Sequence, residues 1–187
     1  MKLFPVLLSL VVLTSLTLTN PVVAGDIFPD EALETAIKAV LKKQGKDTIK
    51  EEDLKNVFQV TARDKGIKDL TGLDKCVNLA LLDVTGNEIA DLSPIAGLVN
   101  LQSLDVSKNK VTDIGPLEKL VNLQYVKIAA NQVADLAPLQ GHQKLSSLYA
   151  AENKVTSVEP LKELPKLWSL DLAGNTVSDV APLGTLK

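Results

Sequence analysis

With one cysteine, one histidine and an aromatic share of 3%, this 187-residue chain is poor in the side chains on which most catalysis and metal binding rest. A lone Cys76 rules out any intramolecular disulfide. The lone His142 has no motif to serve, because neither Gly-x-Ser-x-Gly nor His-Glu-x-x-His occurs, and there is no glycine-rich phosphate loop. Basic residues do not outnumber acidic ones, 20 against 23, so no electrostatic stripe exists to displace counterions from a nucleic acid. The apolar run Leu3–Leu18 has 16 residues, short of the ~18–20 that cross hydrocarbon. An apolar content of 45% with so few rings makes the core aliphatic. These absences lead us to expect no catalytic residue, no cofactor, no metal, no nucleic-acid partner and no stable membrane span.

What the chain does have is a period. Asn87, Asn109, Asn131, Asn153 and Asn175 stand 22 residues apart, each inside the same frame. One copy reads Leu79, Leu82, Val84, Asn87, Ile89, Leu92, Pro94, Ile95, Leu98, and the next Leu101, Leu104, Val106, Asn109, Val111, Ile114, Pro116, Leu117, Leu120. Three more copies keep the register without an insertion. L-x-x-L-x-L-x-x-N at such a period is the leucine-rich-repeat signature, one short strand and a return segment per copy, no copy able to bury its apolar side alone. A degenerate copy precedes these, with Val57, Val60, Ala62, Ile67, Leu70 and Leu73 in frame and Lys65 where asparagine should stand.

Residues 1–24 read as a cleaved secretory signal peptide: Met1-Lys2, the apolar run, then Pro21-Val22-Val23-Ala24 before Gly25. This places the mature protein in the periplasm, in the cell envelope or outside the cell. Residues 25–58 read as a helical cap. Leu33, Ile37, Val40 and Leu41 form one helix face, Gly45 stops it, and Thr48 with Glu51 has the form of a capping box for a second helix that buries Leu54 and Phe58. The repeat array then occupies 57–187.

The Ile27-Phe28-Pro29-Asp30 start, the stretch Gly66-Ile67-Lys68-Asp69-Leu70-Thr71-Gly72-Leu73 and the copies with Asn-x-Val/Ile-x-Asp-x-x-Pro-Leu together resemble bacterial internalin-type leucine-rich-repeat proteins. The resemblance implies an α/β leucine-rich-repeat solenoid. Its parallel sheet would line the concave face, short 3₁₀ or irregular segments the convex side, and a helical cap the N-terminal end. It also implies a role in binding other proteins.

The asparagines are expected to turn inward after each strand and serve unpaired backbone groups. Asp69, Asp91, Asp113, Asp135, Ser157 and Asp179 form a second column, all but Asp69 followed by x-x-Pro, which fits capping better than a cation site. Cys76 occupies a leucine column and reads as a buried thiol; His142 interrupts the same column and reads as a tolerated, partly exposed ring.

Strand residues alternating with the inward leucines face the concave side. They vary while the frame does not, and Leu81, Asp83, Asp105, Tyr125, Lys127, Tyr149 and Asp171 are candidate partner-binding residues. Trp168 joins them, since it, Tyr125 and Tyr149 are all the Trp and Tyr of the chain and fall on consecutive strands. The expected function is an exported module presenting a concave surface to a protein or peptide. The alternative is an envelope component that self-associates, as a homo-oligomer, through its C-terminal end around Leu170 and Leu172.

Overall fold

The computed structural model describes residues 27–186; the expected signal peptide lies outside them. The first helix, α1 (Glu31–Val40), starts at Asp30, whose Oδ1 accepts from the amides of Ala32 and Leu33 at 3.0 Å each. Its other oxygen accepts from Lys68 N at 2.8 Å and Asp69 N at 3.2 Å, so one side chain both caps the helix and ties it to the first coil of the array. Burial pushes the Asp30 carboxyl up, but these backbone amides outweigh it and hold it below the usual carboxylate range.

Leu33 and Ile37 of α1 are fully buried, and Leu41 packs half-buried against the core. Val40, expected on the same face, is 37% exposed and borders the groove between α1 and the segment Gln59–Thr61 instead. The second helix, α2 (Glu51–Leu54), starts later than Thr48 suggests: Lys50 N donates to Asp53 Oδ2 at 2.8 Å and Asp53 N returns to the Lys50 carbonyl at 2.9 Å, so Asp53 supplies the side-chain half of the cap and the backbone the other half. Leu54 is buried, but Phe58 is 55% exposed. Phe58 already belongs to the coil, in the outward column of Ala80, Gln102, Gln124, Ser146 and Trp168, and Val57 takes the inward place beside it.

Six parallel strands follow in sequential order: β1 (Gln59–Thr61), β2 (Leu81–Asp83), β3 (Ser103–Asp105), β4 (Tyr125–Lys127), β5 (Ser147–Tyr149) and β6 (Ser169–Asp171). Each pairs with the residues 22 positions on, Gln59 with Leu81, Leu81 with Ser103 and so to Ser147 with Ser169. Identical coil length is thus converted into stacked columns. Short 3₁₀ segments, such as Ser93–Ile95 and Ala137–Leu139, form the opposite side, with proline at the first turns of five of them, where its missing N–H leaves nothing unpaired. Before each 3₁₀ segment the expected hydrogen bond is made, with the acceptor ahead of the N-cap itself: Thr71, Ser93, Gly115, Ala137, Glu159 and Ala181 donate their amides to the side chain two residues earlier.

The strand and return leucines merge into one core that runs from Phe28 to Leu167. Cys76 lies within it, and burial pushes its thiol up to about 12. The asparagine column staples the coils. Asn131 Nδ2 donates to Ile128 O in its own coil at 3.0 Å and to Val106 O in the preceding one at 2.9 Å, while Oδ1 accepts from Val111 N at 2.9 Å. Asn87, Asn109, Asn153 and Asn175 repeat this pattern. The residue just before the asparagine position has a left-handed backbone in every coil: Asp64, Gly86, Lys108, Ala130, Glu152 and Gly174.

His142 is not partly exposed but fully buried. Its column is an inward one, and Nε2 meets Leu117 O at 3.1 Å, whereas Nδ1 has no hydrogen-bond partner. In the sixth coil Leu170, Leu172, Val177 and Leu183 are only partly buried, and Val180 is 62% exposed, since among the described residues no further coil lies against them.

Candidate functional site

The strand register decides which side chains share the concave face. Inward Val60, Leu82, Leu104, Val126 and Leu148 are fully buried, so the residues on either side of each point outward, in two columns. The first holds Gln59, Leu81, Ser103, Tyr125, Ser147 and Ser169, the second Thr61, Asp83, Asp105, Lys127, Tyr149 and Asp171.

At the middle of this face the structure brings four predicted residues together. The rings of Tyr125 and Tyr149 lie 5.5 Å apart, tilted by 52°. Lys127 Nζ stands 5.3 Å from the Tyr125 centroid and 5.4 Å from that of Tyr149, within the range where a ring face attracts an ammonium. Asp105 Oδ2 is 3.9 Å from the same ammonium. Contact with Tyr125 first, and then the Asp105 charge, raises the Lys127 pKa against the opposing effect of burial. Ser169 Oγ donates to Tyr149 Oη at 3.0 Å, which fixes the outer end of that ring. The result is a preordered aromatic and cationic patch, whose side chains lose little freedom when something is placed on it.

The other predicted residues surround it. Leu81 is half-buried on β2, and Asp171 is half-buried on β6, where its Oδ1 accepts from Ala173 N at 3.0 Å. Trp168 is 79% exposed and touches neither tyrosine ring, standing in the flanking column that begins with Phe58. Asp83 is 6% exposed, because Arg63 lies over it: Nε donates to Oδ2 at 2.7 Å, Nη2 reaches the same oxygen, and Thr85 Oγ1 donates to Oδ1 at 2.8 Å. Burial pushes Asp83 up, and the Arg63 and Thr85 hydrogen bonds more than reverse this, holding it below the usual carboxylate range. Arg63 is therefore the group this part of the face presents. Sequence reasoning missed it, although its position two residues beyond Thr61 puts it on the same side of the strand. A second asparagine column was missed as well: Asn78, Asn100 and Asn122 donate to the carbonyls of Lys55, Val77 and Val99 in the preceding coil.

Among the described residues no group of three His, Cys, Asp or Glu side chains is placed to hold a metal ion, and no helix is long and apolar enough to cross a membrane. A groove between α1 and β1, walled by Ala32, Ala36, Val40, Gln59 and Thr61, adjoins the concave face, and the ionisable groups on its rim include Glu31, Lys65 and Lys68.

A family model described as Leucine Rich repeats (2 copies) matches residues 99–141. Over 65 residues, 35% of this chain, the sequence is 34% identical to Internalin J of Listeria monocytogenes serotype 4b (strain F2365), a match that covers 7% of that protein. The crystal structure of an internalin, InlF, from the same strain aligns with a TM-score of 0.83 at 32% identity, covering 86% of this chain and 48% of that one. The functional domain of InlJ from Listeria monocytogenes has the same fold at 23% identity, with a TM-score of 0.57 and coverage of 86% and 50%. The chain thus spans about half of each of these solved internalin chains. Coil length, sheet, convex 3₁₀ segments and these likenesses agree, and the chain is an internalin-type leucine-rich-repeat protein.

Proposed function

We propose that this protein is an exported, non-catalytic binding module whose concave face takes up a protein or peptide, with residues 1–24 as the signal peptide, 25–58 as the cap and 57–187 as the reading array. The observation that carries the reading is the patch of Tyr125, Tyr149 and Lys127 at the centre of the sheet, with Trp168 exposed at its flank. Exposed aromatics on a rigid scaffold are the usual anchors of protein interfaces. Six coils at ~4.8 Å and strands of three residues at ~3.3 Å give a sheet face of ~240 Å² in projection. A standard interface takes ~800 Å² from each partner. The concave face therefore suits an extended segment or a loop, with Leu81, Asp105 and Asp171 at its margin.

The test is the triple variant Tyr125→Ala, Tyr149→Ala, Trp168→Ala, compared with the parent in capture of partners from the source envelope fraction. Loss of capture at unchanged melting temperature supports the reading, and undiminished capture sinks it. A second reading, self-association through the sixth coil, draws on the exposed Val180 and the half-buried Leu170 and Leu172. Light scattering that finds only monomer at high concentration ends it.

A further inference from the structure

Taking the concave face as the binding surface, we infer that its partner is acidic: an extended polypeptide segment with carboxylates at alternate positions, seated on Arg63 and Lys127. Over β1–β4 the charges of the face are layered, while Asp171 on β6 stands two coils beyond Lys127 in the same column. Asp83 and Asp105 form its floor, with side chains 9% and 15% exposed, and the cations paired with them form its roof, Arg63 at 61% and Lys127 at 36%. An approaching chain meets the guanidinium and the ammonium first, although acidic residues outnumber basic ones in the sequence.

The two cations differ in how far they are committed. The Arg63 guanidinium is fixed on Asp83 through two nitrogens and keeps its remaining donors toward solvent. Lys127 is positioned by two rings, and its carboxylate partner at 3.9 Å is beyond direct hydrogen-bond length, so an incoming carboxylate can complete its shell without displacing Asp105. Asp83 and Asp105 are register partners on β2 and β3, and Lys127 follows on β4, so the cationic heads lie between one and three coil spacings apart, ~5–14 Å. Residues i and i+2 of an extended chain point to one side ~6.6 Å apart and fall inside that span. Tyr125 and Tyr149 flank the ammonium and offer ring surface to the side chains next to the carboxylate.

The experiment is selection of random dodecapeptides displayed on phage against the purified protein, followed by titration of the selected peptides. The expected result is enrichment of Asp and Glu at alternate positions. Affinity should fall by about tenfold or more in Lys127→Gln and again in Lys127→Glu. It should also fall in about 1 M salt, where the Debye length shrinks to ~3 Å. Arg63→Gln strips a buried carboxylate of its partner, so it is paired with Asp83→Asn, and every variant is checked for an unchanged melting temperature. Selected peptides without acidic enrichment overturn the inference; if they still fail to bind the Tyr125→Ala, Tyr149→Ala variant, the concave reading itself survives. Peptides that bind this variant and Lys127→Glu as well as they bind the parent overturn both. A library that yields no binder overturns the acidic preference.

Discussion

Replacing His142 by leucine should stabilise the protein, and by more in acid than at neutral pH. The ring is fully buried, Nδ1 has no partner, and the equivalent positions Leu98, Leu120 and Leu164 show that the site takes a leucine. Removing an unsatisfied buried nitrogen returns ~1–3 kcal/mol. The bond from Nε2 to Leu117 O is lost, but that carbonyl also accepts from Leu120 N at 2.8 Å and is not orphaned. A net gain of ~1–2 kcal/mol at pH 7.5 follows. The pH term has a definite sign. Burial lowers the His142 pKa from its ordinary 6.5, so the unfolded chain binds the proton first as pH falls. The parent therefore loses stability from about pH 6.5 down to the depressed folded value, and the leucine variant does not. Urea unfolding of both proteins at pH 7.5 and pH 5 measures the two terms. Equal midpoints at pH 7.5 would refute the claim about Nδ1, and parallel losses between the two pH values would refute the claim about burial of a neutral ring.

Three further predictions rest on the repeated columns. Asn131→Ala removes bonds to Val106, Ile128 and Val111 at once and should cost ~2–4 kcal/mol in urea unfolding, with a loss under ~1 kcal/mol contradicting the staple. Ala130→Gly relieves a side chain held at φ +52° and should raise stability by ~1 kcal/mol, whereas Gly86→Ala should lower it by a similar amount, because it would hold a side chain at φ +72°. Cys76 should resist a thiol reagent at pH 8 in the folded protein and react on unfolding, since its thiol is buried and titrates at about 12; rapid labelling of the native protein would show that the core admits solvent there.

The coils were legible because one spacing carries the information six times over. Asparagine, leucine and aspartate columns recur at 22 residues, and register follows from equal length without any knowledge of distances. Where repetition ends, reading weakens. Thr48 and Glu51 satisfy a capping pattern, but the helix starts two residues later, with the Asp53 carboxylate accepting from the Lys50 amide. Phe58 looks like the buried end of α2 because the helical spacing from Leu54 and the 22-residue frame both reach it, and the coil frame wins. His142 was misjudged by chemistry: a polar ring suggested exposure, but its column is an inward one and one carbonyl is enough to hold it. On the concave face the identity of the residues was readable, but their pairing was not. That Arg63 covers Asp83, and that Lys127 stands between two rings, depends on side-chain reach across coils, which no periodicity encodes.

The double duty of Asp30 has a consequence for how the molecule comes apart. Its two oxygens bind amides of different segments, so losing that carboxylate frees the start of α1 and the turn at Lys68 and Asp69 in the same event. The lead helix is accordingly not a lid that lifts by itself. It is a keystone, and a probe attached to it reports on the first coil beneath as well as on the helix.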